Sequence, residues 1–220
     1  MSQIACTLIT DGSSDRALLP VLAWLFNQHK VAPAPDIQWY KPGTFGRRGR
    51  SLSARIADAV ENYPCELLFI HRDAEALPAI KREREIQRAI DSCDLTKFEN
   101  PPAVFVIPVR MTEAWLLFDE PSIRRAAGRP NGKKTLSHTG LSYCESLADP
   151  KAVLRQCFIT ASELKGRHRN RFNTDAAVHR LAELIEDYSP LRALPAFARM
   201  EAQFVAVLMD RGWLPRPERY

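Results

Sequence analysis

The stretch Ile4–Ile9 (IACTLI), which runs into Thr10–Asp15 (TDGSSD), decides the fold class of this chain. An apolar run of this length is typical of a strand that is buried on both faces, as the strands of a parallel sheet are. The same pattern recurs in Leu67–Glu75 (LLFIHRDAE) and in Val104–Trp115 (VFVIPVRMTEAW). Each apolar run therefore ends in a segment that carries carboxylates, which predicts three buried strands with acidic ends.

Amphipathic segments separate these strands. The first predicted helix follows the first strand, is capped by Ser13 or Ser14, and places its leucines on one face. A short strand is predicted over Asp36–Tyr40, a helix over residues 51–62 and a charged amphipathic helix over residues 77–93. Strands that alternate with helices in this way predict right-handed βαβ units and an α/β fold with a Rossmann-like, mainly parallel sheet flanked by helices.

The character of the sequence changes beyond Asp119, where the alternation of strand and helix stops. Helices are predicted over residues 149–159, 174–188 and 195–211. We therefore predict an α/β domain over residues 1–125 and a helical C-terminal extension over residues 126–220 that packs on it.

Composition places the chain among ordinary globular proteins. Of its 220 residues, 45 % are hydrophobic and 26 % are charged, and no apolar stretch approaches the roughly 18 residues that a membrane span needs. The N-terminal residues lack the basic and apolar regions of a secretory signal, so we expect a cytoplasmic protein. The five cysteines do not have the spacing of zinc ligands, and buried structural thiols are the favoured interpretation.

The positions of the acidic residues favour a metal site. In an open α/β sheet the carboxyl ends of the strands border the ligand crevice, and a doubly wound order with the first and third strands side by side would bring four acids together. These are Asp11, Asp15, Asp73 and Glu75. Converging carboxylates repel one another unless a cation lies between them, and a hard divalent cation is the usual answer. The sequence therefore predicts a Mg²⁺ (or Mn²⁺) site and phosphate chemistry.

Several of these residues also have a structural interpretation that stays open. Asp15 falls in the first turn of the next helix, where the helix dipole favours an anion. Arg72 can neutralise a neighbouring acid, and Glu113 is expected at a strand-to-helix junction, either aimed inward or capping the first helical turn. His71 is the one histidine near the acidic segments, and a structural role is favoured for it. Acids at three strand ends nevertheless favour a common site over a coincidence.

Basic residues gather in three segments that contain Gly or Asn and are expected to be loops or element ends. They are Arg47, Arg48 and Arg50, then Lys133 and Lys134, then Lys165, Arg167, Arg169 and Arg171. Any single cluster can be a solvated surface, and the net charge of +5 permits a polyanionic partner without requiring one. Together with an acidic site they favour phosphate binding. The residues predicted to bind nucleic acid are Arg47, Arg48, Lys133, Lys134, Arg169 and Arg171.

Two groups of short motifs resemble known families. The order of a strand, Asp-Gly-x-x-Asp at residues 11–15 and a later strand ending in Asp-x-Glu at residues 73–75 resembles the Toprim domain of topoisomerases, primases and overcoming-lysogenization-defect nucleases. The segments EAWLLFD, DPK and YSP are similar to a bacterial family within that group, domain of unknown function 4276. They lie at Glu113–Asp119, Asp149–Lys151 and Tyr188–Pro190.

The resemblance covers most of the chain and implies a Toprim-like fold with assigned site residues. It implies general acid–base chemistry for Asp11, with Asp15 beside it, and metal binding by Asp73 and Glu75, with Asp11 completing the metal site. Glu113 joins the predicted catalytic residues from the narrower family. Two residues depart from the usual Toprim pattern. Asp11 is one methylene shorter than the usual glutamate, and Glu75 replaces the usual aspartate.

These observations predict a Mg²⁺-dependent phosphodiester hydrolase, a nuclease, that acts on nucleic acid in a bacterial defence or mobile-element system. The first alternative is a catalytically degenerate Toprim-like module that binds nucleic acid or a protein partner within a larger complex. The second is a small-molecule phosphatase or phosphotransferase that uses the same metal site. The chain has neither a P-loop nor a Gly-x-Gly-x-x-Gly segment, which disfavours a nucleotide-binding Rossmann protein.

Overall fold

The structure, a computed structural model, describes residues 3–41, 51–93 and 95–214. Its centre is a parallel sheet with strand order β2-β1-β3-β4. The strands are β1 (Ile4–Ile9), β2 (Pro35–Tyr40), β3 (Leu67–His71) and β4 (Ala103–Val106). All strand pairs of the described residues are parallel, as predicted, and the first and third strands are neighbours. The predicted α/β class with a parallel sheet flanked by helices is therefore confirmed.

Helices connect the strands and continue beyond the last one. They are α1 (Leu18–Gln28), α2 (Leu52–Asn62), α3 (Ala79–Asp91), α4 (Glu120–Ala126), α5 (Leu141–Cys144), α6 (Pro150–Ser162), α7 (Gly166–Asn170), α8 (Thr174–Leu184) and α9 (Pro195–Asp210). The short helices α4, α5 and α7 were not predicted, because each is too brief to show an apolar period. Among the residues that the structure describes, none of the helices has the length and apolar character needed to cross a membrane.

Side-chain caps fix the starts of several helices. The Ser51 hydroxyl accepts a hydrogen bond from the backbone of Ala54 at the start of α2, and the Asp149 carboxylate accepts one from Ala152 at the start of α6. The predicted serine cap of α1 is wrong, because neither Ser13 nor Ser14 makes a capping hydrogen bond. A 3₁₀ turn at residues 14–17 leads into α1 instead.

The larger of two hydrophobic cores lies on the sheet face that α1 and the later helices cover. Phe204 of α9 packs against Phe26 of α1 and Phe69 of β3, with ring centroids 4.8 Å and 6.0 Å apart. Helices that follow residue 126 thus pack on the sheet and share one core with it. The boundary at residue 125 stays a prediction.

The second core lies on the opposite face of the sheet, under α2 and α3. Ile56 of α2 and Ile86 of α3 pack there with Ile70 of β3, and all three are fully buried. Since side chains alternate along a strand, Phe69 and Ile70 enter different cores. Every residue of β3 is therefore buried, which explains its continuous apolar run.

Removal of the Phe204 ring should destabilise the whole molecule. Phe204→Ala removes an aromatic side chain that is completely buried between helix and sheet, so we expect a loss of about 3–5 kcal/mol in the free energy of unfolding. Met209→Ala, on the same helix at a position 66 % exposed, is the matched control and should change stability little. Urea unfolding measures both. Two separate transitions, or equal stability of the two variants, would contradict a core shared by sheet and C-terminal helices.

Candidate metal centre

The carboxyl ends of β1 and β3 lie side by side, because Ile9 pairs in register with Ile70. The segment after β1 therefore faces the segment that begins at His71, the last residue of β3. This adjacency brings three side chains together: Asp15, His71 and Asp73 each offer a ligand atom within 4.8 Å of the others. The grouping comes from the strand order, as ligand sites at the switch points of α/β sheets do.

The three side chains contact one another directly. The Nε2 atom of His71 lies 3.0 Å from Oδ1 of Asp73, and its Nδ1 atom lies 3.6 Å from Oδ2 of Asp15. Asp15 and His71 are buried, and Asp73 is partly open to solvent. The cluster therefore has a closed, polar floor and one accessible carboxylate.

Thr112 ties the three side chains into one network. Its backbone N–H donates to Oδ1 of Asp73 at 3.0 Å, and its hydroxyl donates to Oδ1 of Asp15 at 3.1 Å. The same hydroxyl oxygen lies 3.0 Å from Nε2 of His71. Because the hydroxyl proton goes to Asp15, Nε2 must carry a proton that it shares between Thr112 and Asp73. Within the described part of the chain, the other ring nitrogen, Nδ1, has no hydrogen-bond partner, and it lies 3.6 Å from Oδ2 of Asp15.

The buried ionisable groups of the cluster shift one another's pKa values. Burial raises the pKa of Asp15, and the charge of Asp73 raises it further, against the lowering effect of His71. Burial by itself would lower the pKa of His71, but the hydrogen bond to Asp73 and the charges of Asp15 and Asp73 outweigh it, so that pKa lies above its ordinary value. A bound cation would relieve the repulsion between the two carboxylates.

Glu113 borders the cluster. It lies in the 3₁₀ turn Thr112–Leu116, it is 3 % exposed, and its Oε1 atom has no hydrogen-bond partner among the residues that the structure describes. Burial raises the pKa of Glu113, the Nζ atom of Lys151 at 3.5 Å from Oε1 lowers it, and the charges of Asp73 and Asp15 raise it again. A buried carboxylate with a raised pKa has the properties of a general base.

Arginines bind two of the predicted metal ligands. Asp11 forms ion pairs with Nη2 of Arg55 at 2.9 Å and with Nε of Arg72 at 2.8 Å. The side chain of Glu75 is 70 % exposed and pairs with Nη2 of Arg82 at 3.1 Å. The three side chains that the structure groups at ligand distance share only Asp73 with the predicted metal set of Asp11, Asp73 and Glu75. Metal binding by Asp11 and Glu75 stays a prediction.

Arg82 holds the backbone of Asp73 in place. Its Nε atom donates to the backbone carbonyl of Asp73 at 2.9 Å, and its Nη1 atom pairs with Glu85 at 2.8 Å. Arg82 itself is buried. It thus fixes the backbone that carries the Asp73 carboxylate, as groups behind a ligand commonly do.

The predicted nucleic-acid-binding residues that the structure describes form no ion pair with the clustered carboxylates. Lys133, Lys134, Arg169 and Arg171 are all exposed. Arg169 belongs to the short helix α7, which Arg171 follows directly, whereas the sequence predicted a loop or an element end there. Arg47 and Arg48 lie outside the described residues.

Sequence reasoning missed the grouping of His71, Thr112 and Lys151. His71 and Asp73 are two residues apart at a strand end, a spacing that places both on one side of an extended chain, and this signal could have identified the histidine. No local signal marks Thr112, which reaches the cluster from the segment after β4. The sequence marks Lys151 only as the last residue of the DPK motif, and its contact with Glu113 joins distant parts of the chain.

Comparison of the chain with protein-family models, with curated protein sequences and with solved structures finds no match. The resemblance to Toprim domains therefore rests on the short motifs alone. What the chain can do has to be argued from the cluster and its surroundings.

Titration with Mn²⁺ should separate the clustered ligands from the acids that arginines hold. Asp15→Asn and Asp73→Asn should each weaken Mn²⁺ binding at least about tenfold, because each removes a charged ligand. Asp11→Asn and Glu75→Gln are the matched controls and should bind within about threefold of wild type, a free-energy difference below 1 kcal/mol. Isothermal titration calorimetry measures all four. Weakened binding in Asp11→Asn and Glu75→Gln, with Asp15→Asn close to wild type, would show that the sequence-predicted set is the correct one, since Asp73 belongs to both sets.

Stability against pH should report the buried charge of Glu113. Its folded-state pKa is raised above 4.5, so wild-type stability falls as pH rises from the unfolded-state pKa through the folded-state pKa. Glu113→Gln lacks this loss, and we expect the variant to be the more stable protein at neutral pH, with a smaller difference at pH values below 4.5. Urea unfolding in EDTA measures this, and Glu61→Gln at an exposed position is the control. Parallel stability curves for Glu113→Gln and wild type would contradict the buried-charge interpretation.

Proposed function

We propose that the protein is a metal-dependent phosphodiester hydrolase, a nuclease, whose metal centre consists of Asp15, His71 and Asp73. The observation that carries the proposal is the convergence of these side chains, with ligand atoms within 4.8 Å of one another, at the carboxyl ends of β1 and β3. The buried Glu113, whose Oε1 lies 3.5 Å from Lys151 Nζ and accepts no hydrogen bond from the described residues, supports hydrolysis over simple metal storage.

The chemistry of the donor set fits a divalent transition metal. Two carboxylates suit Mg²⁺, Ca²⁺ and Mn²⁺, whereas an imidazole suits transition metals. Mg²⁺ demands nearly ideal octahedral oxygen coordination, which a histidine does not provide. Nε2 of His71 is held by Asp73 and Thr112, whereas Nδ1 makes no hydrogen bond with the described residues and is the ring nitrogen that would bind the cation once deprotonated. We therefore favour Mn²⁺ over the Mg²⁺ that the sequence suggested first.

The residues of this chain divide the work of hydrolysis. A divalent cation held by Asp15, His71 and Asp73 would supply Lewis-acid stabilisation to a phosphodiester. Glu113 accepts the proton of the attacking water as a new P–O bond forms and the bond to the leaving oxygen breaks. Lys151, which contacts Glu113, provides a positive charge for the phosphate.

Nucleic acid is the proposed substrate, because exposed cations at Lys133, Lys134, Arg169 and Arg171 suit a polyanion. The Toprim-like assignment belongs to the same proposal, and its support is that the Asp-Gly-x-x-Asp and Asp-x-Glu motifs follow neighbouring parallel strands. A setting in bacterial defence or mobile elements, a protein partner and a cytoplasmic location rest on the sequence alone.

A degenerate binding module is the second candidate, and one observation favours it. Asp11 is the residue to which the Toprim resemblance gives the acid–base role, and here two arginine side chains, those of Arg55 and Arg72, neutralise it. Both carboxylate oxygens of Asp11 are occupied by these ion pairs, Oδ1 by Arg55 and Oδ2 by Arg72, so neither is placed to contact a water or a substrate. In this alternative the metal centre organises a binding surface without cleavage.

Cleavage assays with plasmid, single-stranded DNA and RNA separate the two candidates. We expect cleavage with Mn²⁺ that EDTA abolishes and that Asp73→Asn reduces to background, while Glu75→Gln stays close to wild type. Glu113→Gln should lower kcat by about 10²–10⁴-fold, the range of a lost general base, with Mn²⁺ affinity largely kept. Mn²⁺ binding by wild type without cleavage of any substrate would favour the binding module. Full activity of Asp73→Asn would contradict the proposed centre.

A further inference from the structure

The exposed face of α6 begins at the candidate metal centre. Lys151 lies in the first turn of this helix, its side chain is 57 % exposed, and its Nζ atom is 3.5 Å from Oε1 of Glu113. A cation at a helix N-terminus is opposed by the helix dipole, so local helix stability does not explain Lys151. Lys151 is instead placed to interact with two groups outside the helix, namely the buried carboxylate of Glu113 and an anion that approaches from solvent.

A second cation continues this face. Arg155 follows Lys151 by four residues, which places it one turn further along the same side of α6. Arg155 is exposed and forms no ion pair within residues 3–41, 51–93 and 95–214. The two side chains therefore present consecutive positive charges that lead away from Glu113.

The far end of α6 carries more positive charge. Glu163 directly follows the helix, and its Oε1 atom accepts a hydrogen bond of 3.2 Å from the backbone N–H of Lys133, so the loop that contains Lys133 lies at this end. Helix α7 begins three residues later. We call the exposed cations gathered here the far-end basic patch: Lys133, Lys134, Lys165, Arg167, Arg169 and Arg171.

The spacing of these charges matches a nucleic-acid backbone. At 1.5 Å per residue, the 13 residues of α6 span about 20 Å. Measured along the axis of a duplex, each strand carries one phosphate about every 3.4 Å, so this length corresponds to about six phosphates of one strand. Within the described ranges, none of the patch side chains forms an ion pair, so their charge is available to a polyanion.

We propose that α6 is a binding track for a nucleic-acid strand, which runs from the far-end basic patch along Arg155 to Lys151 and the metal centre. This inference rests on the proposed function, since the nuclease activity defines the end of the track at which the phosphodiester is cut. Lys151 contacts the phosphate beside the metal centre, and Arg155 contacts the phosphates that precede it. The track reads no base, because its contacts are to the backbone.

Substitution of Arg155 tests the track, because this residue is exposed and belongs to neither the metal centre nor the patch. Fluorescence anisotropy with labelled single-stranded DNA and RNA, in EDTA to prevent cleavage, measures affinity against salt concentration. Arg155→Ala should flatten the slope of log K against log salt by about 0.7. Arg155→Glu should weaken binding about tenfold at low salt. Arg88→Glu, an exposed arginine of α3 on the opposite side of the sheet, is the matched control and should bind like wild type.

Oligonucleotide length provides a second measurement. Affinity should rise with added nucleotides and level off once the strand covers α6 and the far-end basic patch. Equal affinity of a single nucleotide and of a long strand would overturn the track. So would equal binding by wild type and Arg155→Glu, or a loss in Arg88→Glu as large as that in Arg155→Glu.

The small phosphodiester bis(4-nitrophenyl) phosphate distinguishes failure of the track from failure of the hydrolase. Hydrolysis of this compound needs the metal centre, but the compound is too short to cover α6. The Arg155→Glu variant should therefore cleave the small phosphodiester at the wild-type rate and cleave oligonucleotides more slowly than wild type does. If wild type and Arg155→Glu cleave the small phosphodiester at equal rates and also cleave oligonucleotides at equal rates, the track is overturned and the hydrolase is not. Weakened binding by Arg155→Glu without cleavage by wild type supports the track and overturns the hydrolase.

Discussion

The parallel pairing of β1 with β3 is the constraint on which the site depends. It brings the segments after two buried strands so close that Asp15 and Asp73 lie on either side of one imidazole. Two carboxylates in such a place are unfavourable unless hydrogen bonds and positive charge compensate them. Thr112 supplies hydrogen bonds to both, and the His71 ring lies 3.0 Å from Asp73 and 3.6 Å from Asp15. The positions of the two carboxylates are therefore fixed by their hydrogen bonds, and two carboxylates so close together favour the binding of a cation.

Around this centre the charges are arranged in layers. Arg55 and Arg72 neutralise Asp11, and Arg82 fixes the backbone of Asp73, so the outer acids are paired while the inner ones are not fully compensated. Glu113 adds a buried carboxylate that costs stability at neutral pH, a cost that functional sites commonly carry. Lys151 links this interior to the surface of α6, where positive charge continues outward. Charged contacts thus connect the carboxyl ends of the strands with the exposed surface of α6.

The sequence was sufficient for the sheet but not for the choice of ligands. Continuous apolar runs identify β1 and β3 because a strand that is almost wholly buried on both faces has no polar alternation, and the connecting helices then require parallel order. The prediction of a buried third strand is wrong for β4, whose residues alternate between half-buried and buried because it is the last strand in the sheet order. The acids at positions 11, 15, 73 and 75 look alike in the sequence. Their directions depend on partners from other elements: Arg55 from α2, Arg82 from α3 and Thr112 from the segment after β4. Pairing over such separations has no local pattern, so Asp11 was expected in the centre and His71 was not.

The account stands on direct metal binding by a histidine between two aspartates. Pulsed electron paramagnetic resonance of the protein loaded with one equivalent of Mn²⁺ tests this most directly, because a bound imidazole nitrogen modulates the electron spin echo. The account predicts nitrogen modulation in wild type that disappears in His71→Gln. Mn²⁺ bound through oxygen alone, with the same spectrum in wild type and His71→Gln, would contradict it.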